Sequence, residues 1–159
     1  MKQNITPFLW FDTQAEEAAK FYTSVFPDSK ILGTTHYGEH GPDAEGSVMT
    51  VAFELNGQRF TALNGGPHFK FNEATSFVIN CDTQAEIDDY WAKLAANGGQ
   101  EVECGWLKDK YGLSWQVVPR IFWDWADSGD AAAMDRVMAA VMTMRKLDLA
   151  QLQAAHEGK

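Results

Sequence analysis

The residues Asp12-Thr13-Gln14-Ala15-Glu16 recur without change as Asp82-Thr83-Gln84-Ala85-Glu86. Self-similarity at a long period is the mark of a fold assembled from copies of one unit. Each copy follows a short apolar run, Phe8 to Phe11 in the first and Phe77 to Ile79 in the second. Each also precedes a segment whose apolar residues recur at helical spacing. Both halves therefore read as strand, cap, helix.

The repeated word explains why a helix starts there. Thr13 with Glu16, and Thr83 with Glu86, have the spacing of a capping box, in which the hydroxyl and the carboxylate satisfy free backbone N–H groups. Downstream, Ala15, Ala18, Ala19, Tyr22 and Phe26 form one apolar stripe, and Ile87, Tyr90, Trp91, Leu94 and Ala95 form the other. Phe21 and Trp91 stand at the same repeat position. We expect helices beginning near Thr13 and Thr83, each with one face on a sheet.

Strand-like segments follow each helix. In the first half they are Lys30 to Tyr37, Ser47 to Leu55 and Gln58 to Leu63, the last two joined by Asn56-Gly57, whose type suits a tight hairpin turn. In the second half Asn97-Gly98-Gly99 ends the helix. The strands there are Glu101 to Cys104, Gly105 to Lys108 and Leu113 to Val118, with Asp109 to Gly112 as the last turn. Asp109 beside Lys108 reads as a turn residue next to an edge-strand charge rather than an acid/base pair. Gly38 to Gly46 reads as an exposed loop and Gly65-Gly66-Pro67 as the break between halves. From Asp130 a helical pattern returns with Met134, Val137, Met138, Val141, Met142 and Arg145 on one side. We read it as an amphipathic helix covering the sheet or a dimer partner.

The expected fold is α+β: two βαβββ modules, residues 5–64 and 76–118, forming a cupped mixed sheet, followed by C-terminal helices. The 159 residues suit a single domain, with module one at 1–66, module two at 67–119 and a helical segment at 120–159. Hydrophobic residues make up 45% of the chain and charged residues 22%, enough for a real core and too apolar for disorder. A net charge of −9 opposes phosphate-backbone binding, so we expect no nucleic-acid partner. No apolar run approaches the ~20 residues needed to cross a bilayer, which predicts no membrane partner and a cytoplasmic protein. Cys81 and Cys104 have no metal-finger spacing and read as buried small hydrophobes rather than a disulfide.

Strand, capped helix and three strands, twice over, resembles the glyoxalase/bleomycin-resistance (vicinal oxygen chelate) superfamily. Four stretches resemble its PhnB-like branch, often labelled 3-demethylubiquinone-9 3-methyltransferase: Ile5-Thr6-Pro7-Phe8-Leu9-Trp10-Phe11, Asn64-Gly65-Gly66-Pro67, Cys104 to Asp109, and Leu113 to Pro119. The tail resembles that branch as well, in Arg136-Val137-Met138, Met144 to Asp148 and Leu152 to Ala155.

The resemblance implies a divalent metal held by His, Gln or Glu from the first and last strands of each module. Carried over, those positions fall at about Ile5, Ser76, Asn64 and Gln116. None is His, Asp or Glu, so we expect no metal at the superfamily position. Of the four histidines, His36, His40 and His156 lie in a loop or the tail, and His68 lies just beyond the first module. No G-x-G-x-x-G turn is present, which argues against methyl transfer, and no G-x-S-x-G turn marks a hydrolase. We expect no cofactor.

What remains is aromatic surface, six tryptophans and ten phenylalanines, most of them core. Alternation along the last strand places Ser114 and Gln116 on the face opposite Trp115 and Val117. We expect a cleft between the modules lined by Asn64, Trp106, Ser114 and Gln116, with His68 and Trp115 nearby, suited to an apolar or aromatic small molecule. The leading expectation is a small-molecule-binding protein that forms a homodimer, the modules leaving strand edges that want covering. The alternatives are a lyase-, isomerase- or dioxygenase-like enzyme using an unusual or absent metal, and an interaction module with an empty cleft.

Overall fold

A computed structural model describes residues 4–159 and places a strand ahead of each copy of the repeated word. In the first half the order is β1 (Phe8–Phe11), α1 (Ala15–Val25), β2 (Lys30–His36), β3 (Val48–Leu55) and β4 (Gln58–Asn64). The second half repeats it with β5 (Ser76–Cys81), α2 (Gln84–Ala95), β6 (Gln100–Glu101), β7 (Trp106–Lys108) and β8 (Ser114–Pro119). Three helices follow: α3 (Ile121–Asp127), α4 (Ala131–Val141) and α5 (Leu149–Glu157). The chain divides into two compact units, one ending at Lys70 and the other Phe71–Lys159.

Each unit holds a mixed four-stranded sheet, in order β1-β4-β3-β2 in the first and β5-β8-β7-β6 in the second. The first strand pairs in parallel with the last, Phe8 opposite Thr61 and Val78 opposite Gln116, and the remaining pairs are antiparallel. The helical connection between β1 and β2, or β5 and β6, is what lets one edge strand run parallel to its neighbour.

Helix packing follows the sequence stripes. Ala15, Ala18, Ala19, Tyr22, Val25 and Phe26 are buried, as are Leu9, Phe11, Val51, Phe53, Leu55, Phe60 and Ala62 of the first sheet. In the second unit Ile87, Trp91 and Leu94 are buried along with Ile79, Cys81, Leu107, Trp115 and Val117. Phe21 stays half-buried while its repeat counterpart Trp91 is buried and donates its indole N–H to Glu101 at 2.8 Å.

Local geometry departs from the sequence reading at four places. The capping box forms only in the second copy: Thr83 Oγ1 accepts from Glu86 N at 3.2 Å, and Glu86 Oε2 accepts from Asp82 N at 2.6 Å. At α1 the N-cap is Gln14, without a side-chain cap bond of its own, and Glu16 turns away to Lys20 at 2.6 Å. The strands expected at Glu101–Cys104 and Gly105–Lys108 shorten because Cys104 (φ 60°) and Gly105 (φ 81°) form a left-handed turn. The N–H groups of that turn go to Met144 O and Arg145 O at 2.8 and 2.7 Å. Cys104 is half-buried rather than buried, and both thiols are free.

The methionine stripe is the fourth departure. Val137 and Val141 enter an apolar cluster with Trp125, Met144, Leu147 and Leu152, against which Met134 packs, while Met138 and Met142 face solvent. Helix α4 thus packs within a helical cluster of its own, with α5 as its main neighbour. The Asn56-Gly57 turn has φ of 47° and 80°, as a type I′ hairpin requires. Among the described residues no helix is long and apolar enough to cross a membrane.

Candidate functional site

Strand alternation gives each sheet a helix-packed face and a helix-free face. In the second sheet Trp115 and Val117 point toward α2, and Ser114 and Gln116 point the other way. Register extends that helix-free face across three strands: Ser76 and Lys108 stand directly opposite Ser114, and Val78 and Trp106 directly opposite Gln116. The result is a polar row, Lys108-Ser114-Ser76, beside an amphipathic one, Trp106-Gln116-Val78. Ser76, Trp106, Lys108 and Gln116 are all half-buried.

The polar row is only partly satisfied. Gln116 Nε2 donates to Ser76 Oγ at 2.9 Å. Lys108 pairs with Glu73, which lies in the turn before β5, and the ammonium hydrogen-bonded to it holds the Glu73 carboxyl below the usual carboxylate range. Ser114 is 1% exposed and its Oγ has no hydrogen-bond partner among the described residues. A buried hydroxyl left without a partner costs about 1–3 kcal/mol, and most buried polar atoms in native folds bond protein or ordered water.

Trp115 is a structural residue. It is 3% exposed, and its Nε1 donates to Asp109 Oδ2 at 2.9 Å. Asp109 Oδ1 accepts from Tyr111 N and Leu113 N at 2.9 and 3.1 Å, so one buried carboxylate organises the whole β7–β8 turn. The turn reading of Asp109 holds, and Lys108 turns to Glu73.

Asn64 and His68 lie in the first unit. Asn64 shares the parity of Phe60 and Ala62, so its side chain lies on the helix-packed face, where Oδ1 accepts from Ala15 N at 2.8 Å and Nδ2 donates to Val48 O at 3.1 Å. The residue in register with Gln116 is Thr61, three positions earlier and therefore on the opposite face from Asn64. Counting back from the Asn56-Gly57 turn gives the β3–β4 register, but nothing local reveals the parallel β1–β4 register that fixes the equivalence. Exposed His68 helps line a cavity of about 310 Å³ with Asp12, Thr13, Tyr37, Asp43 and Asn64. Trp10 Nε1 donates to the Gly66 carbonyl at 2.9 Å, and its ring lies where a Cβ on Gly65 would fall.

The superfamily's metal does not fit these residues. Ile5 is a hydrocarbon 87% exposed, Asn64 spends its amide on the backbone, and Ser76 and Gln116 bond each other. Two neutral oxygens, that of Ser76 already accepting from Gln116, make a poor site for a divalent ion, which wants three or four good donors. Among the described residues no three His, Cys, Asp or Glu side chains cluster in a way that could hold a metal ion. Glu73 was not foreseen, because nothing in the local sequence ties that turn to Lys108.

A family model described as 3-demethylubiquinone-9 3-methyltransferase matches residues 3–118. A solved PhnB protein from Bacillus cereus, whose description carries the same methyltransferase label, is 41% identical. The match covers 74% of this chain and 99% of that one, with a TM-score of 0.67. The protein PA1353 from Pseudomonas aeruginosa is 20% identical over 73% of this chain and 96% of that one, TM-score 0.60. The fosfomycin resistance protein FosX from Mesorhizobium loti is 11% identical over 74% and 90%, TM-score 0.53; these last two likenesses concern the fold alone. No curated protein matches the chain in sequence. With the doubled βαβββ order, the family match and the Bacillus relative agreeing, the chain belongs to the PhnB-like 3-demethylubiquinone-9 3-methyltransferase family.

Proposed function

We propose that the protein binds a small amphipathic or aromatic molecule on the helix-free face of its second sheet, without the superfamily's divalent metal. The observation that carries this reading is the pairing, on one face, of the half-buried Trp106 indole and exposed Val78 with the polar ends of Ser76 and Gln116. An apolar surface with a few convergent hydrogen-bonding groups is the usual make-up of a small-molecule site. Methyl transfer, the reaction in the family's name, has no assigned part in this reading, since the chain offers no glycine-rich strand-to-helix turn to hold a methyl donor.

Tryptophan fluorescence during titration with benzamide tests the binding. A saturable change is expected, lost in Trp106→Ala, and its persistence in that variant would remove the site. Elemental analysis of the purified protein tests the metal. One equivalent of zinc, nickel, manganese or iron that disappears in Gln116→Ala would overturn the metal-free reading and favour a metalloenzyme. The proposal includes a homodimer, and light scattering at monomer mass over a wide concentration range would contradict it.

A further inference from the structure

We infer that the molecule taken up on this face carries an anionic oxygen group, which displaces Glu73 from Lys108 and accepts a hydrogen bond from Ser114. The inference rests on the reading of this face as a ligand site and adds the chemical class. Ser114 is buried, unpartnered and a donor. Register puts Lys108, a cation, directly across from it on β7 and Ser76 directly across on β5. The row therefore presents an ammonium and an unbonded hydroxyl side by side, and the anion that pairs with the ammonium does not belong to the sheet.

That anion is Glu73. Its side chain is 58% exposed and its backbone lies in the turn before β5, whereas the Lys108 side chain is only 30% exposed. A carboxylate on a turn, reaching a cation fixed on a strand, is a tethered stand-in for an external carboxylate. An exposed ion pair of this kind contributes little to stability, so exchanging its anionic member costs little. A charged acceptor that met both Lys108 and Ser114 would bond two donors of the row, of which Glu73 meets Lys108 alone. The neighbouring row supplies the rest of the selection: Trp106 and Val78 flank Gln116 and would hold an aromatic or branched aliphatic body next to the anionic head. The ligand class is a small organic acid with an apolar body.

Benzoate and its neutral isostere benzamide separate the parts of this inference, using the full chain at low salt. Benzoate should bind about tenfold more tightly than benzamide. Glu73→Gln, a change at an exposed position that keeps the fold, should strengthen benzoate about threefold or more and leave benzamide unchanged. Ser114→Ala should weaken benzoate about fivefold, and Lys108→Met should abolish the preference between the two probes. If benzamide binds this face and benzoate is not preferred, the anion inference fails and the ligand site stands. If neither probe perturbs Trp106 or Gln116, the ligand site itself fails. If benzoate binds but is indifferent to both Glu73→Gln and Ser114→Ala, the Ser114 hydroxyl serves an ordered water only and the inference is overturned.

Discussion

Helices α1 and α2 open with the same five residues, yet the first is capped from across its sheet and the second from within its own sequence. A helix start leaves backbone N–H groups without partners, and any nearby acceptor can take them. At α1 the acceptor is Asn64, at the end of β4, bonded to Ala15 N. The position in register with Asn64 in the second module is Pro119, whose ring offers no acceptor. There Thr83 and Glu86 form the cap themselves. The freed Gln84 takes different work: Nε2 donates to Leu147 O at 3.1 Å and Oε1 accepts from Leu149 N at 2.7 Å, clasping the C-terminal helices to the second module. Identical local sequence thus yields two local structures because the residue across the sheet differs.

The modules also differ in how they close their last hairpin, and here the largest effect is expected. The β3–β4 turn relies on the backbone freedom of Asn56-Gly57, and the β7–β8 turn on one buried carboxylate with three donors. Asp109→Ala strands those donors and should cost about 3 kcal/mol in chemical denaturation. Gly57→Ala, which strains a positive φ with open space around it, should cost about 1 kcal/mol. Equal costs would mean that the two turns are not held by different physics.

Cap substitutions give the next effects. Asn64→Ala should destabilise by about 2 kcal/mol, since it also releases Val48 O. Thr83→Ala should cost about 1 kcal/mol and Thr13→Ala roughly nothing. A Thr13→Ala cost matching that of Thr83→Ala would restore the symmetric capping the repeat suggests.

These sites show how much the sequence could reveal. Order of elements, the buried stripes and the Asn56-Gly57 turn were legible, because periodicity and turn chemistry act over a few residues. So was the split of Ser114 and Gln116 from Trp115 and Val117, since alternation is a property of one strand. The Asn64 cap, the equivalence of Thr61 with Gln116 and the Glu73–Lys108 pair were not legible. Each depends on pairing between residues distant in the chain, which local pattern does not encode.

The smallest effect concerns Cys81, buried at the end of β5 on the helix side. Burial pushes its thiol up to about 12, with Glu86 and Asp82 adding to the rise and Arg120 opposing it. A raised pKa favours the protonated form in the fold. Its contribution is therefore complete below the unfolded value near 9 and is lost as pH climbs toward 12. Urea midpoints should fall over that interval, less so in Cys81→Ala. An unchanged slope in that variant would assign the alkaline loss to other groups.

Residue-resolved nitrogen–proton spectra during benzamide titration test most directly which module takes the ligand. Shifts are expected at the Trp106 indole N–H, the Gln116 side-chain amide and the Ser76 and Val78 backbone amides of the second sheet, with the first module's cavity at Thr13, Tyr37 and His68 undisturbed. Shifts confined to that cavity, or none at Trp106 and Gln116, would contradict the assignment of the binding face to the second module.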